Sequence, residues 1–266
     1  MLPSGFERLL LGHAVAVARS DVAPSIRRML VSADGTRSTL HEYASRQPDA
    51  RALAGRGAAF AVPLPGLAGV RVVVRHNRHG GMFAGLTGDR FLAPTRAPHE
   101  LEVSLALKRQ GIATPELVAF ALYPPGAIFQ RADVCSIEIE RGEDLAHVLV
   151  NGHDDARADA LQATAMLVAA LSHAGARHHD LNAKNVLLAS GAAYVLDVDR
   201  VTLGGSAAAA LEGNLARLAR SLRKWRNRFG ARISEQEIER LGATARDTPP
   251  ATSPRSDEAA APARAH

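Results

Sequence analysis

The spacing of apolar residues changes along the chain, from the pattern of strands in the first half to that of helices in the second. Val70–Arg75 concentrates β-branched residues and predicts a strand, and Ala127–Ile139 alternates as paired strands do. Apolar residues at helical spacing predict helices over Glu100–Gln110, Arg157–Ala174 and Asn214–Phe229. The first fifty residues are mixed and predict no clear element.

Two short apolar runs inside the helix-rich half predict a hairpin. Val186–Leu188 and Tyr194–Leu196 read as strands, with Ser190-Gly191 as their turn. Strands first and helices later predict an α+β fold of two lobes, a strand-rich N-lobe over 1–136 and a helical C-lobe over 137–243. From 244 to 266 the chain is Ala, Pro, Ser and Arg without periodicity, which predicts a disordered tail.

No segment has the pattern of a membrane-spanning helix. The apolar stretch Leu9–Ala18 is interrupted by Gly12 and His13 and is shorter than the roughly 20 residues that a span requires. No basic region precedes it, so we do not interpret it as a signal peptide. We therefore expect a soluble or peripherally bound protein. Cys135 is the single cysteine, which excludes an internal disulfide and argues against a cysteine-based metal site.

Composition narrows the class of partner. The 266 residues are 47% hydrophobic, enough for a substantial core. Lys and Arg total 32 against 27 Asp and Glu, and the net charge of +5 suits an anionic partner such as a nucleotide, a nucleic acid or an acidic membrane. Aromatic residues are only 4%, which leaves little material for stacking bases and disfavours nucleic acid.

One polar string carries the strongest chemical signal. The run His178-His179-Asp180-Leu181-Asn182-Ala183-Lys184-Asn185 has the form H-x-D-L-x-x-x-N, and Asp197 follows across the predicted hairpin. A carboxylate can orient an acceptor hydroxyl, while an amide and a second carboxylate can hold Mg²⁺ against nucleotide phosphates. The alternative is an ordinary polar loop between a helix and a hairpin. The complete pattern favours a kinase-like site.

This string resembles the catalytic loop of the protein-kinase-like superfamily and, more narrowly, that of its lipopolysaccharide kinase branch. The run from Asp180 to Asn185 is similar to the D-L-N-A-x-N signature of 3-deoxy-D-manno-octulosonic acid (Kdo) kinases. The resemblance covers roughly Gly55 to Trp225. Weaker matches are Gly55-Arg56-Gly57, Arg75–Gly81, Asp89–Phe91, Thr95-Arg96 and Asn214–Leu218.

The resemblance implies a two-lobed kinase fold with ATP between the lobes. It implies that Asp180 is the catalytic base and that Asn185 and Asp197 bind Mg²⁺. The nucleotide-binding residues would be Gly55, Gly57, Arg75 and Glu100, with Glu100 bracing the strand residue that contacts phosphate.

Three features depart from the wider superfamily. Arg75 stands where a lysine is expected, and its planar fork is not equivalent to an ammonium group. Asp197-Val198-Asp199 replaces the D-F-G motif, so Asp199 is either a further metal ligand or a cap after a strand. The glycine-rich loop is reduced to Gly55 and Gly57, for which an ordinary turn is an equal alternative.

The function implied is phosphorylation of a sugar hydroxyl of the lipopolysaccharide inner core, with the 4-hydroxyl of Kdo on Kdo-lipid A as the foremost candidate. The partners would be ATP and this glycolipid, at the cytoplasmic face of the inner membrane. The alternatives are a heptose, antibiotic or other small-molecule kinase, a protein kinase, or a non-catalytic kinase-like binding protein. The absent D-F-G motif and the lack of an A-P-E segment after Asp197 argue against a regulated protein kinase.

The predicted helix Asn214–Phe229 combines an apolar stripe with a basic face. The stripe would pack the C-lobe, and the basic face would attract anionic lipid. The basic residues are Arg217, Arg220, Arg223, Lys224, Arg226 and Arg228.

Overall fold

The computed structural model describes residues 2–53, 59–76, 91–92, 96–123 and 129–250. Its first half is built around an antiparallel sheet in the order β1-β2-β7-β8-β5-β4-β3, with β6 paired to β8. The strands are β1 (Phe6–Leu10), β2 (Val15–Arg19), β3 (Arg51–Leu53), β4 (Ala59–Pro63), β5 (Arg71–His76), β6 (Phe91–Leu92), β7 (Leu117–Tyr123) and β8 (Phe129–Ile137). The helices of this half are α1 (Ala23–Leu30), α2 (Leu40–Arg46) and α3 (Ala97–Arg109).

The second half is mainly helical. Two short sheets, β10-β13 and β12-β11-β9, lie among the helices. The elements are β9 (Glu143–Asp144), α4 (Leu145–Asn151), α5 (Asp154–His173), β10 (Arg177–His178), β11 (Val186–Ala189), β12 (Ala192–Val195), β13 (Val201–Thr202), α6 (Ala207–Phe229) and α7 (Glu235–Asp247). The predicted α+β fold is confirmed.

The first fifty residues, which the sequence left unassigned, complete the large sheet. The apolar stretch Leu9–Ala18 is a hairpin of β1 and β2 that turns at Gly12, where φ is +73°. β2 continues the sheet by pairing with β7. Among the described residues no helix is long and apolar enough to cross a membrane.

Strand alternation gives the sheet two different faces. Cys135 and Val74 belong to the core beneath α1 and α2, whereas Val134 and Ala132 pack with α3. Arg75 follows Val74 in β5, so it lies on the face of the sheet that α3 covers.

The helical core extends from the second half of α3 to α7. Leu171, Leu218 and Leu222 are fully buried in it, while Phe229 at the end of α6 is 49% exposed. The predicted tail was wrong at its start, because α7 continues to Asp247 and Ala245 is buried. A capping box at Ser234 begins this helix. The helix has only a short apolar repeat and runs into the alanine-rich C-terminal segment, so the sequence pattern did not predict it. Residues 251–266 lie outside the described part of the chain.

Candidate active site

The segment between α5 and β11 is fixed by its own backbone. Gly175 follows α5 with φ +61°, and a Cβ at this position would lie 2.3 Å from the carbonyl oxygen of Gly205. Only glycine fits both the left-handed backbone and this close approach. The chain then enters β10, which pairs with β13 and leads directly into Asp180.

His178 connects this segment to the strand that follows it. Its Nε2 lies 2.9 Å from the carbonyl oxygen of Leu196, and its Nδ1 lies 3.1 Å from the backbone nitrogen of Asp180. Because the N–H of Asp180 donates to Nδ1, the ring proton is on Nε2 and donates to Leu196. Burial lowers the pKa of His178 below its ordinary value, which keeps the imidazole neutral as this arrangement requires.

Asp180 and Asn185 are held side by side across the loop. The side-chain amide of Asn185 donates to the carbonyl oxygen of Asp180 at 2.9 Å, and Asn182 donates to the same oxygen at 2.9 Å. Since its amide nitrogen is engaged, the remaining polar atom of Asn185 is its amide oxygen, which is a possible cation ligand.

The β11–β12 hairpin brings Asp197 to the same end as Asn185. Val186 pairs with Val195, and the N–H of Leu196 donates to the carbonyl oxygen of Asn185 at 2.9 Å. Asp197 follows with φ +53° and ψ +47°, a left-handed conformation that is uncommon outside glycine. Its side chain is exposed.

The oxygen atoms of Asn185 and Asp197 fit a hard divalent cation. Within the described residues, no three or more His, Cys, Asp or Glu side chains form a metal cluster. A protein that supplies only one or two ligands is typical of Mg²⁺ sites in which nucleotide phosphates and water complete the shell.

Arg75 and Glu100 form an ion pair between β5 and α3. Burial works against the charge of Arg75, but Glu100, Asp197 and Asp199 together raise its pKa above the ordinary value. Burial also raises the pKa of Glu100 to about 7, a shift that Arg75 opposes. The second carboxylate oxygen of Glu100, Oε2, is buried and has no hydrogen-bond partner among the described residues.

Asp199 contacts two arginines. Its Oδ2 lies 3.3 Å from Nη1 of Arg96 and 3.5 Å from Nε of Arg200. The structure thus places Arg75, Glu100, Asp197 and Asp199 in one electrostatic group. Gly55 and Gly57 lie outside the described residues.

Two residues on α6 position this segment, and the sequence analysis assigned neither of them a role. Asn214 is fully buried, accepts a hydrogen bond from the N–H of His178 at 2.9 Å, and donates one to Ala176 at 3.0 Å. The hydroxyl of Ser221 accepts from the N–H of Ala183 at 3.1 Å. The sequence offered one signal: Asn214 and Ser221 are polar residues next to the apolar stripe of an amphipathic helix. A polar side chain buried at such a position needs hydrogen-bond partners.

Three comparisons with known proteins point to one family. The model of the lipopolysaccharide kinase (Kdo/WaaP) family matches residues 53–244. A 3-deoxy-D-manno-octulosonic acid kinase of Stenotrophomonas maltophilia (strain K279a) is 33% identical over 193 residues, which are 70% of this chain and 74% of that protein. One of Xanthomonas oryzae pv. oryzae (strain PXO99A) is 34% identical over the same shares.

A solved structure supports the fold. The structure titled "WaaP in complex with acyl carrier protein" superposes with a TM-score of 0.51 at 17% identity, and covers 79% of this chain and 83% of that one. The predicted two-lobed kinase-like fold is confirmed at this level. The chain therefore belongs to the lipopolysaccharide kinase (Kdo/WaaP) family, and it is accordingly a phosphotransferase that acts on a sugar hydroxyl.

Proposed function

We propose that the protein transfers the γ-phosphoryl group of ATP to the 4-hydroxyl of Kdo in Kdo-lipid A. The relatives named Kdo kinase support this acceptor, since this chain aligns with 74% of their length. The observation that carries the proposal is the hydrogen-bonded loop that fixes Asp180 beside Asn185. These bonds hold the backbone of Asp180, and a carboxylate positioned next to a cation ligand is the arrangement that phosphoryl transfer requires.

In this proposal Asp180 orients the acceptor hydroxyl and takes its proton as the bond to phosphorus forms. His178 and Asn214 are positioning residues, because they hold the backbone on both sides of His179 without a role in proton transfer. Neutral His178 fixes the N–H of Asp180 in one direction.

The nucleotide would be held from both halves of the molecule. Asn185 and Asp197 would hold Mg²⁺, which neutralises phosphate charge when bound. Arg75 would contact phosphate oxygens, with Glu100 fixing the orientation of its guanidinium. Gly55 and Gly57 would offer backbone N–H groups to the phosphates.

The first test is Asp180→Asn assayed with ATP and Kdo-lipid A. We expect turnover to fall by about 10²–10⁴-fold while ATP affinity is retained, since the carboxylate acts on the acceptor proton. Asp159→Asn is the matched control, because Asp159 is exposed on α5. Near wild-type turnover in Asp180→Asn would refute its role, and activity only on a heptose-containing core would refute the acceptor.

The second test concerns the cation. Asp197→Ala should abolish Mg²⁺-dependent ATP binding and Asn185→Ala should weaken it, because the triphosphate charge then lacks a correctly held counter-ion. Titration of ATP at several Mg²⁺ concentrations measures both effects. Unchanged Mg²⁺ dependence in both variants would contradict the assignment.

We further propose that α6 contacts the cytoplasmic face of the inner membrane. The sequence has six basic residues on α6. Two of them, Arg223 and Arg226, both pair with Glu235 of α7. Four cations of α6 have no ion-pair partner among the described residues, and their spacing places them along one side of the helix. They are Arg217, Arg220, Lys224 and Arg228.

The apolar stripe of α6, next to this row of cations, adjoins the catalytic loop. Lys184 lies over the ring of Trp225 at 5.4 Å, and Trp225 packs against the exposed Phe229 at 4.5 Å between ring centroids. Cations near the half-buried Trp225 and the exposed Phe229 suit an anionic bilayer surface. Binding through this end of α6 would bring the loop that carries Asp180 close to a membrane-held acceptor.

Vesicle binding tests the membrane contact. Replacing Arg220, Lys224 and Arg228 by Gln should weaken binding to anionic vesicles by about a hundredfold, since each cation contributes about 1 kcal/mol near such a surface. The control replaces Arg8, Arg27 and Arg109, which are exposed on other elements, by Gln. Equal loss in both triple variants, or binding that does not change with salt, would contradict the proposal.

A further inference from the structure

A cleft lies beside the catalytic loop. It has a volume of about 450 Å³ and is formed by the beginning of α3, the residue before Asp180 and the segment around β13. Its lining residues are Arg96, His99, His179, Asp199, Arg200, Val201 and Thr202. None of the roles assigned above to the catalytic base or the cation ligands uses this cleft.

The cleft carries an excess of positive charge. Arg96 and Arg200 face a single lining carboxylate, that of Asp199. Each guanidinium has five N–H donors, and the contacts with Asp199 occupy only Nη1 of Arg96 and Nε of Arg200. Within the described part of the chain, donors therefore remain on both arginines for a second anion, in the forked geometry that suits carboxylate and phosphate.

The remaining walls are polar and well positioned. Nε2 of His99 lies 3.2 Å from the carbonyl oxygen of Val201, and Nε2 of His179 lies 3.0 Å from the hydroxyl of Thr202. The beginning of α3 also lies at the cleft, with Arg96 as its N-cap residue and no side-chain hydrogen bond capping it. The partial positive charge of this helix end adds to that of the arginines.

The cleft is tied to the catalytic loop through its backbone. The N–H of His179 donates to the carbonyl oxygen of Arg200 at 2.8 Å, and β10 pairs with β13 at Arg177 and Thr202. Because His179 is the neighbour of Asp180 in the chain, the cleft borders the loop that carries the catalytic carboxylate.

We propose that this cleft binds an acidic group of the acceptor, a carboxylate or a phosphomonoester, and so selects which hydroxyl reaches Asp180. The inference rests on the proposed function. An octulosonic acid bears a carboxylate on the sugar that would be phosphorylated, and lipid A bears phosphates on its own sugars. Either anion would meet the free N–H groups of Arg96 and Arg200.

The test compares three acceptors: Kdo-lipid A, the same molecule with its Kdo carboxylates methylated, and the same molecule with its lipid A phosphates removed. Arg96→Gln and Arg200→Gln should each raise the KM for intact acceptor about tenfold or more, with the KM for ATP unchanged. Wild-type enzyme should lose a similar factor on one modified acceptor, and that acceptor identifies the bound group. The two variants should no longer distinguish it from the intact acceptor.

Arg109→Gln is the matched control, because Arg109 is an exposed arginine at the opposite end of α3. Arg200→Lys should restore part of the discrimination by restoring charge without the fork. Variants that still discriminate between the acceptors as wild type does would overturn the inference while leaving the proposed function intact. Failure of the wild-type enzyme on all three acceptors would overturn both.

Discussion

The neutral imidazole of His178 makes a residue-scale prediction about pH. Burial lowers its pKa from 6.5, so below that pH the unfolded chain binds a proton that the folded chain resists. The stability due to neutral His178 is therefore fully present above pH 6.5 and falls as the pH drops through the lowered pKa. Thermal unfolding between pH 5 and 8 should show wild type losing more stability toward acid than His178→Gln, which does not titrate. Parallel curves would contradict this.

Some residues of the site could be predicted from the sequence and others could not. Asp180 and Asn185 could be predicted because one short string contains both the residues and the spacing that the chemistry needs. The contacts of Asn214 could not, although the family resemblance includes this residue, because its partners Ala176 and His178 lie 38 and 36 residues away. The pairing of Arg223 with Glu235 was equally hidden, since two helices must pack before those charges meet.

At the scale of elements, α6 acts as the support of the catalytic loop. Asn214→Ala would leave the N–H of His178 and the carbonyl of Ala176 buried without partners, at a cost of about 1–3 kcal/mol for each group. We expect lower stability in urea and a reduced kcat with little change in ATP affinity. Asn227→Ala, in an exposed position of the same helix, is the control. A kcat like that of this control would show that the loop holds itself.

Elements were predicted where apolar spacing was strong and missed where it was weak. β11 begins at Val186 as predicted, and β12 overlaps the predicted Tyr194–Leu196 but covers Ala192–Val195. In contrast, α6 begins at Ala207 rather than Asn214. Its first turn is an alanine run after the Ser206 cap, which carries helix propensity but no hydrophobic period. β1 and β2 gave no clear signal because they are only five residues each, and β2 is partly alanine.

For the whole molecule, α3 joins the two halves in one cooperative unit. Leu101 packs under the sheet, and Leu107 belongs to the helical core. Leu30 lies in the core beneath α1 and α2, and Leu171 lies in the helical core. Leu30→Ala and Leu171→Ala should each lower the free energy of unfolding by about 2–5 kcal/mol and lower one shared Tm. Circular dichroism reports on both halves, while fluorescence of Trp225, the single tryptophan, reports on the second. Separate transitions in either variant would show that the halves unfold independently.

The left-handed backbone of Asp197 implies a trade-off between catalytic activity and thermal stability. Glycine accepts φ +53° without the strain of about 1–2 kcal/mol that a side chain brings, so Asp197→Gly should melt at a higher temperature than Asp197→Ala, although both lose the carboxylate. Equal melting temperatures would show that the strain is absent. If the strain is present, a library of variants at position 197 would yield different residues under selection for heat resistance and under selection for turnover. Survival of heating would enrich glycine, and turnover would retain aspartate, so Asp197 is a position at which a natural enzyme gives up stability to keep its chemistry.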